Sequence, residues 1–255
     1  MQKSYVGLWG LLFKLGIKVV SIFAKFGKVG LAAVTFASYS YLFSWQFAAM
    51  LIVQLFIHEM GHVWAMKRYG MNVQGVYFIP FMGAAAVADD EFPSRKAEAV
   101  IAIMGPVWGF ACAVATYLIY LATGNPIFAA GASFMALINL FNLLPINPLD
   151  GGRIFKSLAF SVHSYAGLLI MAIGILAGLY LSVKYGIYLF VIIISVGILE
   201  LVLEFRNRNQ TVPMTVAEIF LVTIGYLGIS TLFVALMVHA ENIPGADIAL
   251  EVLRG

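Results

Sequence analysis

His58, Glu59 and His62 stand in the order His-Glu-x-x-His inside the stretch from Phe56 to Ala65. On a helix, side chains four residues apart lie one turn apart on the same face, so both imidazoles point one way. Two imidazoles so placed can hold one zinc ion, and the carboxylate between them can reach a water on that ion. The run Leu51-Ile-Val-Gln-Leu-Phe-Ile57 enters the motif without a charge. Three ionisable groups at the end of an apolar span are costly in lipid and mark function by default. The pattern has only three fixed positions, and a histidine in a helix is often no more than a hydrogen-bonded side chain. A further stretch is needed to choose.

That stretch is Asn142-Leu-Leu-Pro145-Ile-Asn147-Pro148-Leu149-Asp150-Gly151-Gly152, which brings a carboxylate to the end of another apolar span. A zinc hydrolase commonly uses three protein ligands and leaves one position for water. His58, His62 and Asp150 suit those roles, with Glu59 as the general base that takes the proton of the attacking water and passes it to the leaving amine. The two stretches together resemble the site-2 protease family of intramembrane zinc metalloproteases. In that family a membrane helix carries His-Glu-x-x-His, and an Asn-x-x-Pro…Leu-Asp-Gly segment follows in the chain. The resemblance implies one Zn2+ per chain, the ligand and base roles just named, and membrane-spanning proteins as substrates. The loops are too short for an inserted soluble domain, so a short form without PDZ or CBS domain is expected. Asn142 matches the Asn of the family motif, with an expected hydrogen bond to the substrate backbone or the developing oxyanion. Asn139 and Asn147 are lesser candidates, since asparagine in a membrane bundle often only bridges helices. Phe78-Ile-Pro-Phe-Met-Gly83 resembles the family's Gly-containing segment beside the active site, where an extended edge takes up substrate backbone. Gly105-Pro106-Val-Trp108-Gly109 resembles its Gly-Pro element in the third span, with close packing near the site as the expected role.

The elements that must position these residues are membrane helices. Charged residues make up 11% of the chain and hydrophobic residues 62%, against roughly 25% charged in soluble domains. The expected fold is an all-α polytopic membrane protein of about six to seven transmembrane helices. Spans are expected near 29–45, 46–66, 97–122, 126–147, 164–183, 185–204 and 215–239. Gly75, Pro80 and Gly83 break the pattern between 73 and 90, which predicts a short β-hairpin or re-entrant loop. Pro106 should kink the third span. Lys3, Lys14, Lys18, Lys25 and Lys28 fall on one narrow arc of a helical wheel. Residues 1–30 therefore read as an amphipathic interfacial helix facing anionic lipid. Residues 31–204 read as the metalloprotease core, and 205–255 as a last transmembrane helix and tail. Lys14 and Lys18 interrupt the apolar N-terminus, so no cleavable signal peptide is expected. Cys112 is the single cysteine and reads as core packing.

With seven spans, Lys67, Arg68, Arg95, Lys96, Arg153, Lys156, Arg206 and Arg208 share one side with the N-terminal lysines. That side is expected to be cytoplasmic, in the cell membrane. His58, His62 and Asp150 then reach a common depth near the cytoplasmic ends of their spans. Two other functions compete: a membrane metal or ion transporter, and a catalytically inactive relative that binds substrates. Glu59 separates them from hydrolysis, because neither needs a base beside a histidine ligand. Nothing points to nucleic acid as a partner. Glu200 and Glu204 before Arg206 and Arg208 read as a helix-end charge cluster. Neither His163 nor His239 is expected to be a ligand. Changing Lys14, Lys18 and Lys25 to Gln should weaken sedimentation with anionic vesicles and leave zinc content unchanged. Loss of zinc in that triple mutant would place the N-terminal helix against the site instead.

Overall fold

The computed structural model describes residues 27–79, 83–186, 189–207, 211–241 and 243. Lys3, Lys14, Lys18 and Lys25 lie outside them, as does the expected lipid-facing helix they define. Helix α1 is described over residues 27–42. It is followed by α2 (Trp45–Arg68), the strands β1 (Val73–Ile79) and β2 (Gly83–Ala88), and α3 (Arg95–Thr123). Then come α4 (Pro126–Asn142), α5 (Asp150–Val162), α6 (Ser164–Tyr185), α7 (Leu189–Asn207) and α8 (Val216–Glu241). Each of the seven expected spans coincides with one of these helices. Among the described residues, four helices, α2, α3, α6 and α8, are long and apolar enough to cross a membrane. Helix α4 is apolar but has only 17 residues.

Helices α2 and α3 are the centre of the fold, with α4 and α5 packed on α3 and the hairpin packed on α2. Helix α2 starts at Ser44, whose hydroxyl accepts from the Phe47 N–H at 3.3 Å and caps the first turn. Its buried residues include Leu51, Gln54, Leu55, His58, Glu59, His62 and Met66, a helical stripe at three- and four-residue steps. Val53, Phe56 and Trp64 point outward. The ionisable groups of α2 thus all lie on its buried face before Lys67, and the exposed face beside them is apolar, unlike that of a soluble surface helix. Glycines let α3 approach both α2 and α4 closely. A Cβ on Gly61 would overlap the Met104 backbone and touch Trp108, and a Cβ on Gly109 would overlap the Asn139 side chain. Helix α3 runs unbroken through Pro106 from Arg95 to Thr123.

The segment from 73 to 88 is an antiparallel strand pair, with Val76 opposite Ala86 and Ile79 opposite Gly83. Pro80, Phe81 and Met82 lie outside the described residues. Asp90 accepts from the Asn72 N–H at 2.6 Å and so ties the open end of the hairpin. Lys28 donates to the Gln74 carbonyl at 2.5 Å and lies 4.9 Å from the Tyr77 ring centre, so it binds the hairpin.

Helix α5 was not anticipated. The fourth apolar segment ends at Asn142, a turn follows, and a new helix begins at Asp150. Asp150 is followed directly by Gly151 and Gly152. They sit in the first turn of α5, where any Cβ would overlap Leu143 or the Ile146–Asn147 backbone. The Tyr226 hydroxyl of α8 donates to the Leu143 carbonyl at 2.9 Å and pins the same turn.

Arg95, Glu98, Lys156, Glu200 and Glu204 form one ion network across α3, α5 and α7. The Arg95 guanidinium grips Glu204 with two bonds of 2.9 and 2.7 Å and meets Glu98 at 3.0 Å. Lys156 contacts Glu98, Glu200 at 2.6 Å and Glu204 at 3.1 Å, and the Ser157 hydroxyl donates to Glu98 at 2.9 Å. Arg95, Glu98 and Lys156 are buried. Burial works against the Lys156 charge, but the carboxylates of Glu98, Glu200 and Glu204 outweigh it and raise its pKa. Glu200 and Glu204 are therefore not a free helix-end cluster. Arg95 and Lys156 thus have structural partners in the fold. Removing one member of a buried ion set strands the others, at ~3–5 kcal/mol. Lys156→Met should accordingly lower thermal stability in detergent, followed by circular dichroism. The exposed Lys96, paired with Glu218 at 2.9 Å, should be replaceable by Ala with little change in the midpoint.

Candidate metal centre

Three helices deliver the site. Helix α2 presents His58 and His62, α4 presents Asn139 and α5 presents Asp150 at its first position. The His58 Nε2 and His62 Nε2 atoms are 3.1 Å apart. The Asp150 carboxylate lies 3.0 Å from the first and 3.4 Å from the second. The three residues expected from the sequence to be ligands therefore converge, with one donor atom of each within 4.8 Å of the others.

The remaining ring nitrogens decide the tautomers. His62 Nδ1 donates to the Ile101 carbonyl at 2.8 Å, an acceptor with no proton of its own. His58 Nδ1 donates to Asn139 Oδ1 at 2.9 Å. The Asn139 amide nitrogen donates to the Met135 carbonyl at 2.8 Å, which leaves Oδ1 as the acceptor toward the ring. In the neutral rings both Nε2 atoms thus present lone pairs, and they present them to each other and to a carboxylate. Such a donor set calls for a cation. Two ligands at ~2.0–2.1 Å from a tetrahedral zinc are about 3.3 Å apart, which the observed 3.0–3.4 Å spacings match. The Ile101 carbonyl and Asn139 Oδ1 orient the rings as metal-bound histidines require.

Gly105 of α3 makes room for this centre. A Cβ there would overlap the His62 ring and stand 2.7 Å from His58 Nε2. The close-packing role expected for the Gly-Pro element is thus a contact with the ligands themselves.

Glu59 is buried beside the histidines, and its Oε2 accepts from the Ala86 N–H of β2 at 2.6 Å. A cavity of about 350 Å³ opens beside the site, lined by His58, Glu59, His62, Asp150, Asn142, Ala84, Ala86 and Val196 among others. Asn142 lines this cavity, while Asn139 on the preceding turn is the residue that touches a histidine. Asn147 is buried in the turn before Asp150, with Gly197 of α7 against its carbonyl. Arg153 lines the cavity and stacks 5.8 Å from the Phe92 ring centre; among the described residues it has no ion pair with Asp150. His163 caps α6, accepting from the Tyr165 N–H at 3.3 Å, and His239 packs on Tyr117. Neither approaches the centre.

Residues 46–127 match the family model of peptidase family M50. The chain carries an M50, or site-2 protease, domain. Over 121 residues it is 27% identical to a zinc metalloprotease of Methanocaldococcus jannaschii, covering 46% of this chain and 35% of that protein. It is also 30% identical over 108 residues to stage IV sporulation protein FB of Bacillus subtilis, covering 41% of this chain and 37% of that protein. The matched stretches thus span little more than a third of these relatives. Asn139, Asn142 and Asp150 lie beyond the stretch matched to the M50 model, and the tertiary structure is what brings them to its histidines.

One supporting group of the site, the Ile101 carbonyl, escaped the sequence reading, and Asn139, a lesser candidate there, is the asparagine that meets His58. Asn139 carried a signal, since a buried asparagine facing a histidine-bearing helix must find a partner. The Ile101 carbonyl carried none. Gly105→Ala should lower zinc affinity on the order of 100-fold or more, beyond the 10–100-fold typical of losing a supporting hydrogen bond. Gly225→Ala, where a Cβ would stand 3.7 Å from Ile103, should leave it unchanged. Metal titration of the purified variants compares the two.

Proposed function

We propose that this chain is an intramembrane zinc endopeptidase that hydrolyses peptide bonds within or near the transmembrane segments of other proteins. The observation that carries the reading is the convergence of two histidine Nε2 atoms and a carboxylate beside a buried glutamate. His58, His62 and Asp150 hold the zinc, which supplies Lewis acidity to the scissile carbonyl and to water. Glu59 takes the proton of the attacking water and returns it to the leaving amine. Asn142, on the cavity wall, donates to the substrate backbone or to the oxyanion as charge develops. A substrate segment must leave its helix to enter, and the free edge of β2 beside Glu59 takes up its backbone hydrogen bonds. An ion carrier would need the three ligands but not Glu59.

The depth of the site sets the cleavage position. His62 precedes the exposed Lys67-Arg68 pair by five residues, or ~7 Å along the helix, with His58 one turn deeper. The Arg68 guanidinium lies 5.1 Å from the ring centre of the half-exposed Trp64, a pairing suited to the headgroup boundary. The midplane lies ~15 Å below either face. The zinc therefore sits between the surface and the midplane, on the side we assign to the cytoplasm. The N-terminal lysines hold their segment against anionic lipid on that side.

Glu59→Gln should keep one zinc per chain and lose cleavage of co-expressed, tagged single-pass proteins by roughly 10²–10⁴-fold. Mass spectrometry of the wild-type products should place cuts in the cytoplasmic half of the substrate segment. Equal cleavage by wild type and Glu59→Gln would refute the reading, and cuts in the outer half would refute the assigned orientation.

A further inference from the structure

The contact between Glu59 and β2 has a chemical consequence for the base itself. A glutamate beside a zinc site is a competent ligand as well as a competent base. Glu59 has three side-chain torsions, follows one ligand directly in the chain and is buried next to the other two. Something must hold it short of the metal while leaving an oxygen free. The Ala86 N–H is placed to do both. It lies 2.6 Å from Oε2, in the range of short charge-assisted bonds. Oε1 has no hydrogen bond to the described residues of the protein.

The strand geometry shows why this amide is available. In an antiparallel pair, the N–H and C=O of one residue point to the same side, and the side alternates along the strand. Ala86 stands opposite Val76 in the register, yet its N–H goes to Glu59. It therefore points away from β1, and by alternation Ala84 and Ala88 also present their backbone groups on the free edge. The ladder to β1 is built through Ala85 and Val87. The small side chains of Ala84, Ala85 and Ala86 let this edge lie against α2, on which β2 packs.

We propose that the Ala86 backbone amide is a positioning group of the active site. It anchors Oε2 of Glu59, keeps that carboxylate out of the metal coordination and leaves Oε1 as the oxygen that handles the proton. This proposal rests on the reading of Glu59 as the base. It makes the hairpin part of the proton-transfer machinery, beyond any role in docking peptide backbone.

The test replaces the amide nitrogen of residue 86 by oxygen, giving a backbone ester that keeps the methyl side chain and the strand. The same change at residue 84 is the control. It removes another outward N–H of the same edge and weakens the neighbouring carbonyl equally. Ala86→Pro is the genetic counterpart, since proline is tolerated on an edge where the N–H faces out of the ladder. The ester at 86 should retain one zinc per chain and an unchanged KM while kcat falls roughly 10–100-fold, as for a lost hydrogen bond to a charged group. The Glu59 carboxylate stretch, isolated by infrared difference between each protein and its Glu59→Gln form, should shift with the ester at 86 and not with the ester at 84. An unshifted band, or an unchanged kcat, at residue 86 would overturn the proposal. Equal shifts of the Glu59 band at 84 and 86 would also overturn it, by assigning the change to the strand as a whole; turnover is not compared at 84, which lines the cavity on the edge that takes up substrate. Absence of cleavage in the wild type would count against the protease reading, while the band shift would still decide the contact.

Discussion

Two imidazole nitrogens 3.1 Å apart, each with its lone pair turned toward the other and toward a carboxylate, form an arrangement that a protein cannot hold in lipid without compensation. Everything near it serves that constraint. The Ile101 carbonyl and Asn139 fix which ring nitrogens carry protons. Gly105 removes the side chain that would otherwise fill the space. The start of α5 presents Asp150 at a helix N-terminus, where a carboxylate is electrostatically at home.

The site is assembled by helices whose buried faces carry the polar groups. In water such a face would be the exposed one. In a bilayer the solvent is apolar, so polar side chains are driven to one another and stay there only if every donor and acceptor is met. The ion network of Arg95, Glu98, Lys156, Glu200 and Glu204 follows the same rule at a second location. It joins α3, which holds His62 through Ile101, to α5, which carries Asp150, and to α7, whose Val196 walls the cavity. The positions of the ligands thus depend on charges that lie outside the site.

The hairpin plays a different part. Its outer edge leaves backbone groups unpaired beside Glu59, and one of them is already used by that carboxylate. A strand edge is ordinarily a hazard to be covered. Here it lies beside α2 and lines the cavity at the site, where a chain entering that cavity meets it.

Much of this was legible in the residues alone. The spacing of His58, Glu59 and His62 implies a shared helical face, and the Leu-Asp-Gly segment supplies the third ligand at a matching depth. Both are local or nearly additive properties: helix periodicity and distance along a span. Hydropathy likewise located a helix for each apolar segment. It did not find α5, because Pro145, Pro148 and the Gly151-Gly152 pair read as breaks, and a 13-residue helix with a buried Lys156 is too short and too polar to read as a span. Nor did it pair Arg95 and Lys156 with glutamates more than forty positions away. Which asparagine meets His58, which carbonyl meets His62 and which amide meets Glu59 are matters of helix rotation and strand register. Those are set by close packing at Gly61, Gly105 and Gly109 and by the twist of a two-stranded ladder. The sequence determined the donor set and the medium around it. Only the tertiary structure decided the lone pairs and the hydrogen bonds, because a shift of one residue in a strand or a small rotation of a helix would change every partner without altering the pattern.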